Sequence, residues 1–157
     1  MKRSKMKKNY RKAARRILWT LTIGATAVSV GLPPAVAAPQ GATVTHGSAS
    51  FQQSGNHTTI TAANNTVINY SSFNIGPQES VQFVQPDAAS RVLNRIAGNS
   101  PTVIEGQMTA NGIVYFVNPA GIYFAGGSII NVAGLYAAAG NLSDANFLAG
   151  ADMFEQL

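Results

Sequence analysis

The 157-residue sequence has no cysteine, so a domain built from it gains its stability without disulfides. Charge is scarce over most of its length. Beyond residue 37 the only basic side chains are Arg91 and Arg95, set against Glu79, Asp87, Glu105, Asp144, Asp152 and Glu155, two arginines against six acids for a net charge of −4. That balance removes the electrostatic footprint of a nucleic-acid binder, and no nucleic acid is expected as a partner. The acids are scattered, which leaves no pair for glycoside chemistry and no calcium cage. His46 and His57 stand in a polar stretch with no neighbouring carboxylate, so both read as surface residues and no metal site is expected. There is no G-x-S-x-G, and a serine hydrolase has no support. No catalytic residue and no cofactor follow from this composition.

What the sequence does hold begins with positive charge. Nine of its eleven Lys and Arg residues precede Ile17, and the apolar run ILWTLTIGATAVSVGL follows, ending at Pro33 and Pro34. Ala35-Val36-Ala37 then supplies small residues at the spacing a signal peptidase reads, with Ala35 and Ala37 as the cleavage signature and the cut after Ala37 or Ala38. Residues 1–37 are therefore expected to be a signal peptide with an extended basic n-region. The general export machinery and signal peptidase are its expected partners. The apolar run is slightly short of the ~18 to 20 residues that span a bilayer.

From Gly41 onward no stretch shows apolar positions at helical spacing. Short runs rich in Thr, Val, Ile and aromatic residues predict strands at 58–61, 66–70, 80–84, 102–106, 112–117, 121–124 and 128–138. Asn64-Asn65, Gly76-Pro77, Gln85-Pro86, Ser100-Pro101, Asn111-Gly112, Asn118-Pro119 and Gly126-Gly127 separate them. The sequence DAASRVLNRIA at 87–97, opened by Asp87 and stopped by Gly98-Asn99, predicts a helix with an Asp87–Arg91 surface pair. SDANFLAG, 143–150, is a second and weaker helical candidate.

The strands echo one another. TVINYSSF at 66, TVIEGQMT at 102 and SIINVAGL at 128 share a small hydroxyl residue, two β-branched apolars and a polar Asn or Glu; GIVYF at 112 returns as GIYF at 121. Recurrence of one strand pattern with uncharged turns points to a β-solenoid, in which like side chains stack and stacked charges would repel. An antiparallel sandwich accounts equally well for strand length and spacing. Tyr115, Phe116, Tyr123 and Phe124 at alternating positions predict half facing a core and half covering a neighbouring layer.

The stretch SRVLNRIAGNSPTVIEGQMTANGIVYFVNPAGIYFAGGSIINVAGLYAAAGNL, 90–142, resembles the N-terminal secretion domain of the filamentous haemagglutinin family, the exported partners of two-partner secretion systems. FNIGPQESVQFVQP, 73–86, resembles the strand pair that precedes it there, and the long basic n-region is similar to the signal peptides of these exoproteins. The most specific part is N-G-x-V-x-x-V-N-P-x-G-I-x-F, Asn111 to Phe124. The resemblance implies an all-β, right-handed parallel β-helix with an N-terminal cap over 38–157, and no enzyme. It also implies recognition by the POTRA domains of an outer-membrane β-barrel transporter, export across the inner membrane, and release or surface display via the periplasm. Adhesion to host or neighbouring-cell receptors or glycans is the implied work of the whole exoprotein.

Within that resemblance Asn111, Gly112, Asn118, Pro119, Gly121, Ile122 and Phe124 are the expected turn and transporter-recognition residues. The family's N-P-N-G-I-x-F motif is met except that Ala120 stands in place of the second Asn, and its N-P-N-L motif has no counterpart. Family members continue for many rungs, so 38–157 is expected to be the truncated beginning of a longer shaft. The competing function is a polysaccharide-binding or polysaccharide-degrading β-helix.

Overall fold

The computed structural model describes residues 38–155. The expected signal peptide, with Ala35 and Ala37, lies outside the described residues. Ten strands and one short helix follow in order: β1 (Thr43–His46), β2 (Ala49–Ser54), β3 (His57–Ala62), β4 (Thr66–Tyr70), β5 (Ser80–Val84), β6 (Arg91–Ile96), β7 (Thr102–Ile104), β8 (Gln107–Val117), β9 (Ile122–Phe124), β10 (Ile129–Ala138) and α1 (Asp144–Leu148).

Their pairing builds a parallel solenoid of about four turns with three faces. On the first face β3, β5, the N-terminal half of β8 and the N-terminal half of β10 stack in parallel, through His57↔Ser80, Ser80↔Gln107 and Gln107↔Ile129. On the second, β4, β6 and the C-terminal halves of β8 and β10 stack through Val67↔Leu93, Leu93↔Tyr115 and Tyr115↔Tyr136. The third face is short: β7 pairs β9 in parallel, and Ile75 bridges Ile104 below them. The antiparallel sandwich is thereby excluded.

The first rung would present a bare row of N–H and C=O groups. Two antiparallel strands cover it, β1 on β4 and β2 on β3. This is the N-terminal cap. Thr66, fully buried, fastens it: its hydroxyl lies within hydrogen-bond distance of Ser48 O (3.1 Å) and Ala63 O (2.8 Å) and accepts from Ser48 N at 3.3 Å.

Alternation along each strand sends one set of side chains inward. Thr58, Val81, Met108 and Ile130 form one inner column, and Ile60, Phe83, Ala110 and Val132 another. Phe73 sits among them with Phe116 at 4.7 Å and Tyr70 at 5.1 Å between ring centroids, both edge-on, so aromatic volume fills the middle of the coil. A second apolar layer lies outside the second face, where Val67, Leu93, Tyr115 and Val117 are buried under Leu142 and Phe147.

That outer layer explains a correction. The helix expected at 87–97 is instead strand β6 from Arg91 to Ile96. Val92 points into the coil and Leu93 into the outer layer, so the segment is apolar on both sides and loses the alternation that betrays a strand. Asp87 opens a turn, not a helix: its Oδ1 accepts from Ala89 N at 3.0 Å and from Ser90 Oγ at 2.8 Å. The hydrogen bond from Ser90 holds the Asp87 carboxyl below its usual pKa range. Arg91 does not pair with Asp87 but donates to Asn65 Oδ1. The weaker helical candidate is present as α1, capped by Ser143, whose hydroxyl accepts from Asn146 N.

The echoes in sequence are not the stacking register. TVINY lies on the second face, TVIEG on the third and SIINV on the first, while GIVYF and GIYF occupy two faces of one rung. Each strand repeats a local need, a β-branched run with one face inside, and the rung period comes from corners of unequal length.

Candidate functional site

Asn118 follows the last residue of β8, Val117, at a corner where the backbone can no longer form a ladder, because Pro119 offers no N–H. The Asn118 side chain takes over. Its amide donates to Ser100 O at 3.1 Å and to Thr102 Oγ1 at 3.0 Å, in the rung below, while its Oδ1 accepts from Ala120 N at 2.9 Å. Its backbone N–H donates to Ala138 O in the rung above at 3.1 Å, and its carbonyl accepts from Gly121 N at 2.9 Å. One residue thus joins three rungs. Asn118 is 0% exposed, a burial that is tolerable because every polar group is partnered.

Gly121 follows with φ +105°, a conformation that disfavours a side chain. The chain then enters β9, where Ile122 is half-buried but Tyr123 is 61% exposed and Phe124 41% exposed. The expected division between core and neighbouring layer is met at Tyr115 and Phe116 and not at Tyr123 and Phe124. Tyr115 and Phe116 are both buried, in the outer layer and the coil respectively, and Tyr123 and Phe124 both meet solvent.

Asn111 and Gly112, expected as a turn, lie inside the continuous strand β8. They mark where β8 leaves β5 and joins β6, so the strand bends from the first face to the second without breaking. Asn111 spans the gap with two bonds, accepting from Gln85 N at 2.7 Å and donating to Gln85 O at 2.6 Å. A Cβ on Gly112 would lie 2.6 Å from the terminal amide of Gln85, so a side chain there would push that amide aside. The same device recurs at the expected Asn64-Asn65 separator, where Asn64 Oδ1 accepts from Arg91 N, and at a corner that sequence reading did not single out, where Asn74 Oδ1 accepts from Val103 N. Asparagine at a bend is the signal that could have found Asn74.

The expected site residues are therefore brought together only in part. Asn118, Pro119, Gly121, Ile122 and Phe124 form one corner; Asn111 and Gly112 form another, facing Gln85. Among the described residues no three of His, Asp and Glu converge. His46 Nδ1 lies 3.0 Å from Asn65 O and His57 Nδ1 2.6 Å from Ser80 Oγ, both on the exposed surface.

Residues 35–156 match the model of the TPS secretion domain. The chain belongs to that family. The HMW1 secretion domain from Haemophilus influenzae superposes with a TM-score of 0.74 at 38% identity, covering 76% of this chain and 32% of that one. A heme/hemopexin-binding protein from Haemophilus influenzae (strain KW20 / Rd) is 43% identical over 95 residues, 60% of this chain and 10% of the relative; another of the same name from that species is 42% identical over 65 residues. The chain thus spans about a tenth of the length of the longer-matched relative.

As a TPS secretion domain the chain is the export-directing part of a two-partner-secretion exoprotein, and the polysaccharide-active alternative is not favoured. The structure gives Arg91 and Arg95 a context that composition could not. Both hold the segment 141–155 against the outer layer of the second face. Arg95 donates to Leu142 O at 2.7 Å, Asp144 Oδ1 at 2.6 Å, Asn141 Oδ1 at 3.2 Å and Asn69 Oδ1 at 3.1 Å. The Arg91 guanidinium stacks over the Phe147 ring at 5.1 Å. Asn141 and Glu155 exchange two backbone bonds of 2.8 Å, closing this strap into a loop.

Proposed function

We infer that this domain carries the address by which the POTRA domains of a dedicated outer-membrane β-barrel transporter select the exoprotein in the periplasm. The match of residues 35–156 to the TPS secretion domain carries this reading. Residues 1–37 deliver the chain across the inner membrane and are removed after Ala37 or Ala38. The domain's work is recognition without catalysis: its interior is apolar and aromatic, and its corners use asparagine for stacking rungs. The Asn118 corner builds the surface that the transporter reads. Its buried amide supports a structural part for Asn118 itself, with contact left to its exposed neighbours. The relatives are named for binding heme or hemopexin; a whole exoprotein of that kind fits here, with cargo or adhesive binding lying beyond the domain.

Co-expression of the full chain with its transporter tests the reading. The expected result is chain in the medium only when the transporter is present, and capture of the chain by the transporter's immobilised periplasmic region. Equal appearance in the medium without the transporter would overturn it.

A further inference from the structure

The residues just after the expected signal peptide do not trail away from the solenoid. Ala38 is only 8% exposed, and Gln40 is stitched to the corner that follows β4. Gln40 N donates to Ser72 O at 2.9 Å, and Gln40 O accepts from Ser71 N and Ser71 Oγ, both at 3.0 Å. The Gln40 side chain turns back, its amide donating to Ala38 O at 3.0 Å. Gly41 then passes so close that a Cβ there would lie 2.5 Å from Ser71 Oγ, at a φ of +64°. The bond from Ser71 Oγ crosses 31 positions of sequence, and the corner it starts from is braced by the next rung, where Ala97 N donates to Tyr70 O at 3.0 Å. The stitch therefore exists only once the chain has coiled.

From this geometry we propose that signal peptidase cuts the Ala37–Ala38 bond, and that it does so before the Gln40 stitch closes, because the stitched chain is held too near the solenoid to enter a peptidase cleft. The proposal rests on the signal peptide inferred at residues 1–37 and adds to it one scissile bond and an order of events. The choice of bond follows from Ala38 and Pro39. Ala38 is part of the folded domain, and a cut after it would remove both its buried side chain and the carbonyl that Gln40 holds. The nitrogen of the Ala38–Pro39 bond also carries a ring carbon in place of hydrogen, which crowds its leaving side. In the cut, water adds across Ala37–Ala38. The Ala37 carbonyl carbon takes the hydroxyl, and Ala38 N takes the proton and becomes the amino terminus.

The order follows from reach. A chain extends at most ~3.3–3.6 Å per residue, so with Gln40 held the scissile bond lies within roughly 7–10 Å of the folded body. A single helix with its side chains is about 10–12 Å across. A cleft walled by even one helix therefore meets the solenoid before it reaches the bond. With the stitch open, the next anchor is β1 at Thr43, and the reach from Ala38 rises to roughly 17 Å.

The test uses the full precursor, residues 1–157, in detergent micelles with purified signal peptidase. Wild type is compared with Gly41→Val, which strains the stitch, and with a spacer variant carrying about six Gly and Ser residues between Ala38 and Pro39, roughly 20 Å of added reach. Mass spectrometry times the cleavage of folded precursor and of precursor freshly diluted from urea. All three are expected to be cut equally fast from urea. Once folded, wild type should be cut tenfold or more slowly than the other two, with every wild-type product starting at Ala38. Folded wild type cut as fast as the spacer variant would overturn the order, and a product starting at Pro39 would overturn the bond; either leaves the signal peptide standing. No cleavage of any form, folded or diluted, would remove the signal peptide and this proposal with it. A precursor whose circular dichroism shows folding only after cleavage would support the order by a second route. If Gly41→Val fails to fold, the spacer variant, which keeps the bonds of Gln40 to Ser71 and Ser72, carries the comparison.

Discussion

The Asn118 amide lies 3.0 Å from the Thr102 hydroxyl, with both residues buried and the two belonging to successive rungs. The bond crosses the coil's wall where Pro119 has interrupted the ladder. Replacing Asn118 with alanine strands Ser100 O, Thr102 Oγ1 and Ala120 N together. A loss of about 2–4 kcal/mol is expected. Thr102→Val removes one partner only and is expected to cost about 1 kcal/mol. Urea melts of both variants and of the double variant check this. Strict additivity would mean that the pair does not act as a unit.

Gly106 stands where the third face hands over to the first, and a Cβ there would run into the carbonyl oxygens of Gly76 and Glu79 in the rung below. Gly106→Ala is therefore expected to destabilise by about 1–3 kcal/mol or more, because backbone must move. Gly126→Ala, which would meet nothing within 4 Å, is the control and is expected to be nearly neutral. Midpoints of thermal unfolding separate the two.

Arg95→Met is expected to loosen the strap while sparing the coil. The bonds lost run to Leu142, Asp144, Asn141 and Asn69, but Asp144 is partly exposed, so the ion pair itself contributes little. A loss of about 1–3 kcal/mol is expected, chiefly from the bonds to uncharged partners. Limited proteolysis should cut first within 141–155, with circular dichroism retaining its β-signature. Simultaneous loss of both signals would show that strap and coil unfold together.

Two buried tyrosines make the fold sensitive to base. Burial, and then the bond and charge of Asp152, push the Tyr115 phenol up to about 12; burial raises Tyr70 further. Between the ordinary value near 10 and the raised one, the folded state keeps protons that the unfolded chain has released, so stability falls as pH rises. Stability should be level through neutral pH and decline above about pH 10. Tyr115→Phe is expected to reduce that slope without abolishing it, since Tyr70 remains. Urea midpoints across the alkaline range provide the measurement.

Reading by residue worked where one strand face met the coil and the other met water. β5 is such a strand, with Gln82 and Val84 exposed and Val81 and Phe83 buried; β4 is legible instead from the β-branched run TVINY, since Thr66, Val67, Ile68 and Tyr70 are all buried and only Asn69 is partly exposed. β6 failed that reading. Val92 and Leu93 are both buried, in different layers, and the strap that buries Leu93 lies some fifty residues further along the chain. Asn111-Gly112 was read as a break for a related reason. The pair has turn chemistry, but Gln85 satisfies it across the rungs and the strand continues. β1 and β2 were missed altogether, as their outward polar rows give little hydrophobic signal and their role depends on covering an edge.

The sequence by itself determined that the domain would be disulfide-free and built of short strands with uncharged, asparagine-rich corners; parallel pairing, which excludes the sandwich, came from the structure. Its motif also determined the secretion family. Only the tertiary structure decided which of those residues are buried and which stay exposed. Burial is a property of distant segments brought together: Ser100 and Thr102 enclose Asn118, residues 141–155 cover the second face, and nothing in the described chain reaches Tyr123.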